Sequence, residues 1–317
     1  MKTLSIIIVT WNGKQYVEEC LNSLGAYSQD PGVEIIVVDN ASWDGTFEFV
    51  RDTYQTVRLI QNTENLGFAK ANNIGIRASS GQFVCLINSD VRVFEGCIDK
   101  MHFYMCNNPQ IGLVGPRMLG PDGKSYRSYM GMPTLWRMFC RALALDVLFP
   151  RSKVFGGFLM PYFNRDQIAD VDILNGWFWM TRREALNDVG LLDENLFMYG
   201  EDLDWSRRFR KAGWRVVYFP KAESLHYGGA SSAIAPIHFL VEMQRANFQF
   251  WKKNYGPASQ LLYLFIVLIH QSVRVLGYLL LMCVKEAKRS DAAFKVKRSL
   301  ACMRWAIGSK TREDNSF

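Results

Sequence analysis

An α/β fold with a mostly parallel sheet flanked by helices, followed by an apolar and basic helical appendage, is the architecture this sequence predicts. Three observations predict it. Short β-branched runs without polar alternation recur through residues 4–115, helix-period segments separate them, and Asn or Asp residues gather where each run ends. The 317 residues allow one large α/β domain plus such an appendage.

Leu4–Thr10 is the first strand, buried on both faces by its composition. The run is too short for a signal peptide, and Trp11-Asn12-Gly13-Lys14 follows it without a small-residue cleavage site. Residues 14–25 carry Tyr16, Val17, Cys20, Leu21 and Leu24 on one helical stripe. Val33–Val38 is the second strand and ends in Asp39-Asn40-Ala41-Ser42; Val57–Ile60 is the third and ends in Gln61-Asn62. A helix over 68–79 leads to the strand Phe83–Ile87, which ends in Asn88-Ser89-Asp90. A helix over 95–106 precedes the strand Ile111–Gly115. This alternation implies right-handed βαβ crossovers.

Residues 116–170 are irregular, with Arg127, Arg137, Arg141, Arg151, Lys153 and Arg165 set among aromatics. The stretch reads either as an acceptor-binding insertion or as a variable surface loop. Order resumes at Val171–Leu174 and the strand Trp177–Thr181, and a last strand, Trp214–Phe219, is expected to end at Pro220.

Residues 251–317 hold 12 Lys/Arg against 4 Asp/Glu, while residues 1–250 hold 25 against 26. The basic balance therefore belongs to the tail, and the body offers no basic face for a nucleic-acid groove. The tail also carries the apolar runs Leu261–Ile269 and Val275–Val284, with His270, Gln271 and Arg274 between them. A straight span would put Arg274 near a bilayer centre, at about 2.5–3.5 kcal/mol on insertion scales. An interfacial or re-entrant helix, or a helix pair, over 258–298 suits an anionic membrane surface better; a hairpin docked on protein is the alternative. The seven cysteines are odd in number, scattered and without metal-ligand spacing, which implies reduced thiols in a cytosolic compartment.

Thr10/Asn12, Asp39/Asn40, Asn62/Asn65 and Asn88/Asp90 stand at four successive strand ends, where ligands bind in open α/β sheets. Turn preference accounts for any one of these pairs and poorly for the series. Phe197-Met198-Tyr199-Gly200-Glu201-Asp202-Leu203-Asp204-Trp205 sets three carboxylates among aromatics, and His226 follows Asp202 by 24 residues. A helix N-terminus would favour such acids; so would a cation, a hydroxyl-bearing substrate or a proton to be moved.

These motifs, in this order, resemble the family 2 glycosyltransferases of GT-A fold, particularly the bacterial rhamnosyltransferase-like branch. The motifs are Val37–Ser42, Asn65–Gly75, Leu86–Asp90, Arg182–Leu186 with Gly190–Asp193, the Glu201-Asp202 cluster, and His226 with Gly228–Ser231. The resemblance covers residues 4 to about 232, the body and not the tail, and implies a domain at 1–250; 251–317 is read as a membrane-associating tail from its composition alone. It implies an inverting transferase that moves a sugar, dTDP-L-rhamnose as donor before a UDP-sugar, to a lipid-linked or polysaccharide acceptor. Asp202 is the expected general base. Thr10, Asn12, Asp39, Asn65, Gly67, Lys70, Asn73, Asn88 and Asp90 are expected around the nucleotide-sugar, and Glu201, Asp204 and Trp177 around the acceptor. The start of the Asn65–Gly75 helix is expected to offer backbone N–H groups to the anionic donor. Asp90 and His226 are the expected ligands of Mg²⁺ or Mn²⁺; Asn88, where the family's DxD motif has Asp, lowers the charge available to the cation. The expected location is the cytoplasmic face of the inner membrane, peripheral or monotopic, with homo-oligomers admitted. A sugar nucleotidyltransferase would need a Gly-rich basic loop after the first strand, which Thr10–Lys14 lacks; a non-catalytic sugar-binding relative is the other rival.

Overall fold

The computed structural model describes residues 2–228, 235–284 and 286–308. The chain forms two compact units, residues 1–130 with 164–234, and residues 131–163 with 235–317.

In the first unit the elements run β1 (Leu4–Thr10), α1 (Lys14–Ser23), α2 (Gly25–Ser28), β2 (Val33–Asp39), α3 (Thr46–Thr53), β3 (Arg58–Gln61) and α4 (Gly67–Ala78). They continue as β4 (Phe83–Asn88), β5 (Val91–Val93), α5 (Cys97–Cys106), β6 (Ile111–Leu119), β7 (Ser125–Tyr126) and β8 (Tyr129–Met130). After residue 163 come β9 (Ala169–Asp170), β10 (Ile173–Leu174), β11 (Phe178–Arg182), α8 (Arg183–Val189), α9 (Glu201–Lys211) and β12 (Arg215–His226).

The main sheet has the order β3-β2-β1-β4-β11-β6-β12-β5, with β7 on β6 and β9 on β12. Strands β3, β2, β1 and β4 are mutually parallel, as is β12 to β6, whereas β11 is antiparallel to both its neighbours. The sheet is thus mostly parallel but mixed. Ile6, Ile7 and Ile8 of β1 have no exposed surface, which is what an uninterrupted β-branched run requires when helices cover both faces.

The last strand departs from expectation. Pro220 does not end it: β12 continues to His226. Phe219 pairs with Pro116 and Glu223 with Arg117, so Pro220–Ala222 bulge out opposite consecutive residues of β6. A proline fits a strand at a bulge, where no ladder hydrogen bond is asked of it. Beyond the bulge β12 pairs antiparallel with β5, His226 opposite Val91.

The second unit contains α6 (Leu135–Ala142) and α7 (Leu145–Leu148), then α10 (Pro236–Val284) and α11 (Arg289–Ile307). Gly256 (φ 83°, ψ 176°) and Pro257 break α10 into two helical segments. Trp251, Tyr263, Leu264, Val267 and Trp305 form its core, and Leu135 and Met138 of α6 pack against them. The 261–269 and 275–284 runs therefore lie on one continuous helix. By length and composition α10 is apolar enough to cross a membrane.

Candidate active site

Parallel pairing of β1 with β2 sets Thr10 beside Asp39 at the carboxyl end of the sheet. Three atoms there, Thr10 Oγ1, Asn12 Nδ2 and Asp39 Oδ1, are buried with no hydrogen-bond partner among the described residues. Native proteins rarely leave such groups unpaired, so a cluster of them marks a surface built for a polar ligand. The other Asp39 oxygen accepts from the Ser42 amide at 3.0 Å. The Asn12 amide donates to Ser42 Oγ at 2.9 Å, and Asn12 Oδ1 accepts from the Trp43 amide at 2.9 Å. Burial holds the Asp39 carboxyl above the usual carboxylate range.

Asn40, named at the sequence level only as a strand-end residue, organises the neighbouring loops. Its side-chain oxygen accepts from Asn62 Nδ2 (2.9 Å) and the Leu66 amide (3.1 Å), and its nitrogen donates to Asn65 Oδ1 (2.7 Å). Asn65 Oδ1 also accepts from the Gly67 amide at 3.0 Å, and the Phe68 amide donates to the Phe197 carbonyl at 2.7 Å. The Leu66, Gly67 and Phe68 amides, at the helix start expected to offer N–H groups to an anionic donor, are thus bonded within the protein. Asn73 is likewise occupied: its Nδ2 donates to the Leu192 carbonyl and to Glu194, both at 2.9 Å, and its Oδ1 accepts from the Leu192 amide at 3.0 Å. Asn73 and the Phe68 amide therefore hold the 192–197 stretch that leads to the acidic helix, Asn65 ties the Gly67 turn to Asn40, and Lys70 is exposed on α4.

Asp90 and His226 come together. His226 Nε2 lies 3.1 Å from Asp90 Oδ1, and the Tyr227 amide donates to the Asp90 carbonyl at 3.0 Å. His226 Nδ1 sits 3.4 Å from Met118 Sδ, and the Trp177 indole stacks on the imidazole at 5.5 Å and 17°. Trp177, expected near an acceptor, is 3% exposed and stacks on the His226 ring. Asn88, partly exposed, precedes this pair at the end of β4, its backbone amide bonded to the Trp177 carbonyl. One carboxylate completed by substrate phosphates is the usual shell for Mg²⁺ or Mn²⁺, and the His226 imidazole would add a nitrogen ligand less typical of these hard ions. Among the described residues no group of three or more His, Cys, Asp or Glu is placed to hold a metal.

The acidic cluster forms the first turn of α9, after two left-handed residues, Tyr199 (φ 70°) and Gly200 (φ 83°). Glu201 is 7% exposed, and its Oε2 has no partner among the described residues. Asp202 is partly exposed, and its Oδ1 accepts from the Leu203 amide at 2.9 Å. Burial raises both carboxyls, and the adjacent Asp202 charge raises Glu201 further. Asp204 has a different part: buried, it binds Arg208 Nε at 2.8 Å, and Arg208 donates to the carbonyls of Val189, Gly190 and Leu191. That pair anchors α9 to the end of α8.

Asn12, Ala41 and Tyr199 are three of the five non-glycine residues with positive φ among the described residues, and all three stand at these loops. Nothing in Ala or Tyr announces a left-handed conformation, so the turns at Ala41 and Tyr199 are not legible from residue type. The Gly229-Ala230-Ser231 part of the His226 motif lies outside the described residues.

The profile of Glycosyl transferase family 2 matches residues 5–190. The chain is 32% identical over 258 residues to the N-acetylglucosaminyl-diphospho-decaprenol L-rhamnosyltransferase of Mycobacterium tuberculosis, covering 78% of this chain and 83% of that protein. It is 27% identical over 262 residues to the dTDP-rhamnosyl transferase RfbF of Shigella flexneri, covering 79% and 80%. Among solved structures, a mannosyltransferase of Pyrobaculum calidifontis, in complex with GDP-Man and Mn²⁺, superposes with a TM-score of 0.55 at 17% identity, over 98% of this chain and 88% of that one. At that identity the likeness speaks for the fold alone.

Proposed function

The chain belongs to glycosyl transferase family 2, and from that premise we propose that it is an inverting rhamnosyltransferase, with dTDP-L-rhamnose as donor and a polyprenyl-diphosphate-linked glycan as acceptor. The observation that carries the reading is the juxtaposition, on one sheet edge, of unpartnered polar atoms at Thr10, Asn12 and Asp39 with the Asp90–His226 pair. The first group suits the base and ribose of a nucleotide, the second its diphosphate.

Asp202 takes the proton from an acceptor hydroxyl as that oxygen forms its bond to the anomeric carbon. The bond from that carbon to the donor phosphate breaks from the opposite face, and the nucleoside diphosphate leaves with the electron pair. A divalent cation held by Asp90 and His226 would supply charge neutralisation at the diphosphate. Burial and the neighbouring Asp202 charge raise the Glu201 carboxyl, and its unpartnered Oε2 would hydrogen-bond a hydroxyl of the acceptor. The cytoplasmic membrane face, reached through 258–298, completes the reading. Its support is the decaprenol-linked substrate in the mycobacterial relative's name and the exposed apolar surface of α10.

The test is nucleoside-diphosphate release from dTDP- and UDP-sugars with a membrane extract as acceptor, with Mg²⁺, Mn²⁺ or EDTA. Release from dTDP-L-rhamnose that Asp202→Asn abolishes is the expected result. Release from a UDP-sugar alone would replace the donor, and none from any donor that binds would overturn the enzyme reading.

A further inference from the structure

We propose that residues 131–163 and helices α10–α11 form one lipid-docking face, so that the middle of the irregular 116–170 stretch seats on an anionic bilayer. The inference rests on the membrane reading of 258–298 and extends it to a stretch far earlier in the chain. Two properties of the second unit converge on it. Of the 21 exposed large apolar side chains among the described residues, only Trp43, Phe103 and Tyr126 lie outside this unit. By sequence the same unit holds 17 Lys/Arg against 6 Asp/Glu, a balance of +11, whereas the remainder of the chain holds 20 against 24, a balance of −4.

The 131–163 segment is amphipathic in the required sense. Leu135 and Met138 of α6 turn inward to the core around Trp251 and Trp305, while Trp136 is 50% exposed. Trp136 lies 6.3 Å from Phe155, and Phe155 lies 5.2 Å from Phe149, itself 51% exposed. Val147 and Leu148 extend this cluster at 72% and 67% exposure, with the exposed cations Arg151 and Lys153 close by in sequence. On α10, Leu261, Phe265, Leu276, Leu280 and Val284 are exposed at spacings near three and four or their sums, which traces a stripe down one side of the helix. Exposed Arg274 interrupts a crossing but suits a helix lying flat, from which its guanidinium reaches the headgroups.

Apolar and aromatic residues with Lys and Arg around them are what an interfacial membrane contact needs. A second copy of the chain would bring +11 against +11, which disfavours self-association through this surface.

The test uses the full chain with phosphatidylcholine vesicles, with and without phosphatidylglycerol. Co-sedimentation should require the anionic lipid, and Trp136→Ser with Leu148→Ser and Phe149→Ser should weaken it by about tenfold or more. Phe265→Ser with Leu276→Ser and Leu280→Ser should weaken it comparably. Brominated lipid should quench a share of the fluorescence that disappears in Trp136→Phe, a change too small to disturb folding. If the α10 variant loses binding while the 131–163 variant and the Trp136 quenching do not respond, the inference fails and the tail reading stands. If the unaltered chain ignores vesicles, both fail; a concentration-dependent dimer dissolved by either triple variant would assign the surface to self-association instead.

Discussion

Replacing Gly67 by alanine should cost far more than a positive φ alone accounts for. Gly67 opens α4 at φ 79°, and a Cβ there would sit 2.3 Å from the Phe197 carbonyl oxygen and 2.7 Å from its ring. The left-handed conformation costs an alanine about 1–2 kcal/mol. Pushing the Phe197 carbonyl away also breaks its bond from the Phe68 amide, worth about 0.5–1.5 kcal/mol net and about 1–3 kcal/mol if the amide is left unsatisfied. The total, taking the unsatisfied-amide case, is about 2–5 kcal/mol. Gly123 supplies the control: its φ is 71°, yet nothing lies within 4 Å of the Cβ it would gain, so Gly123→Ala should cost only about 1–2 kcal/mol. In thermal unfolding the two should lower the midpoint by on the order of 10 °C and 4 °C respectively. Phe197 leads through Tyr199 and Gly200 to Asp202, so Gly67→Ala should also depress turnover more than donor binding, while Gly123→Ala leaves both unchanged. Equal midpoint shifts in the two variants would refute the close approach of α4 to the 197–202 segment.

Asp202→Asn should lower turnover by about two to four orders of magnitude with donor affinity near normal, measured by single-turnover kinetics and calorimetry; retained turnover would remove it as the base. Because burial raises Asp202, the acidic limb of the rate profile should lie above the ordinary carboxylate range, activity growing as pH rises through it. Stability runs the other way. A carboxyl raised in the fold favours the folded state at low pH and loses that contribution as pH rises through its folded value, so the urea midpoint should fall from mildly acidic to mildly basic pH, and Glu201→Gln should flatten the decline. Asp90→Asn and His226→Ala should each abolish stimulation by Mg²⁺ or Mn²⁺; undiminished stimulation in both would move the cation elsewhere.

Much of the sheet was legible because its strands are covered on both faces. Burial leaves a β-branched run with no alternation, and that pattern survives without any knowledge of neighbours. The strand-end polar residues were legible as a set for a related reason, since parallel strands discharge their carboxyl ends on one edge. What each residue does there was not. Asn65 and Asn73 carry the same amide as Asn12, yet their atoms are bonded to Asn40, Leu192 and Glu194, whereas Asn12 Nδ2 has no partner among the described residues. Asp204 and Asp202, two positions apart on α9, divide in the same way: one is paired with Arg208, the other is partly exposed. Residue type gives a hydrogen-bonding capacity, and only the fold decides whether the protein or a ligand uses it.

Pro220 shows how a local rule fails and why the failure matters. Read alone, a proline after six strand residues is a stop, because it lacks the N–H a ladder needs. The chain instead passes Pro220 within a bulge of three residues and resumes pairing with β6 at Glu223, which leaves three further residues to reach β5. Those residues end in His226. Had β12 stopped at Phe219, His226 would have no strand to place it, and its 3.1 Å approach to Asp90 would depend on an unsupported loop. The bulge therefore transfers sheet rigidity to the imidazole, and Trp177, the residue before β11, stacks on the ring. A residue that sequence reading treated as the end of an element is thus part of what delivers the candidate cation ligand.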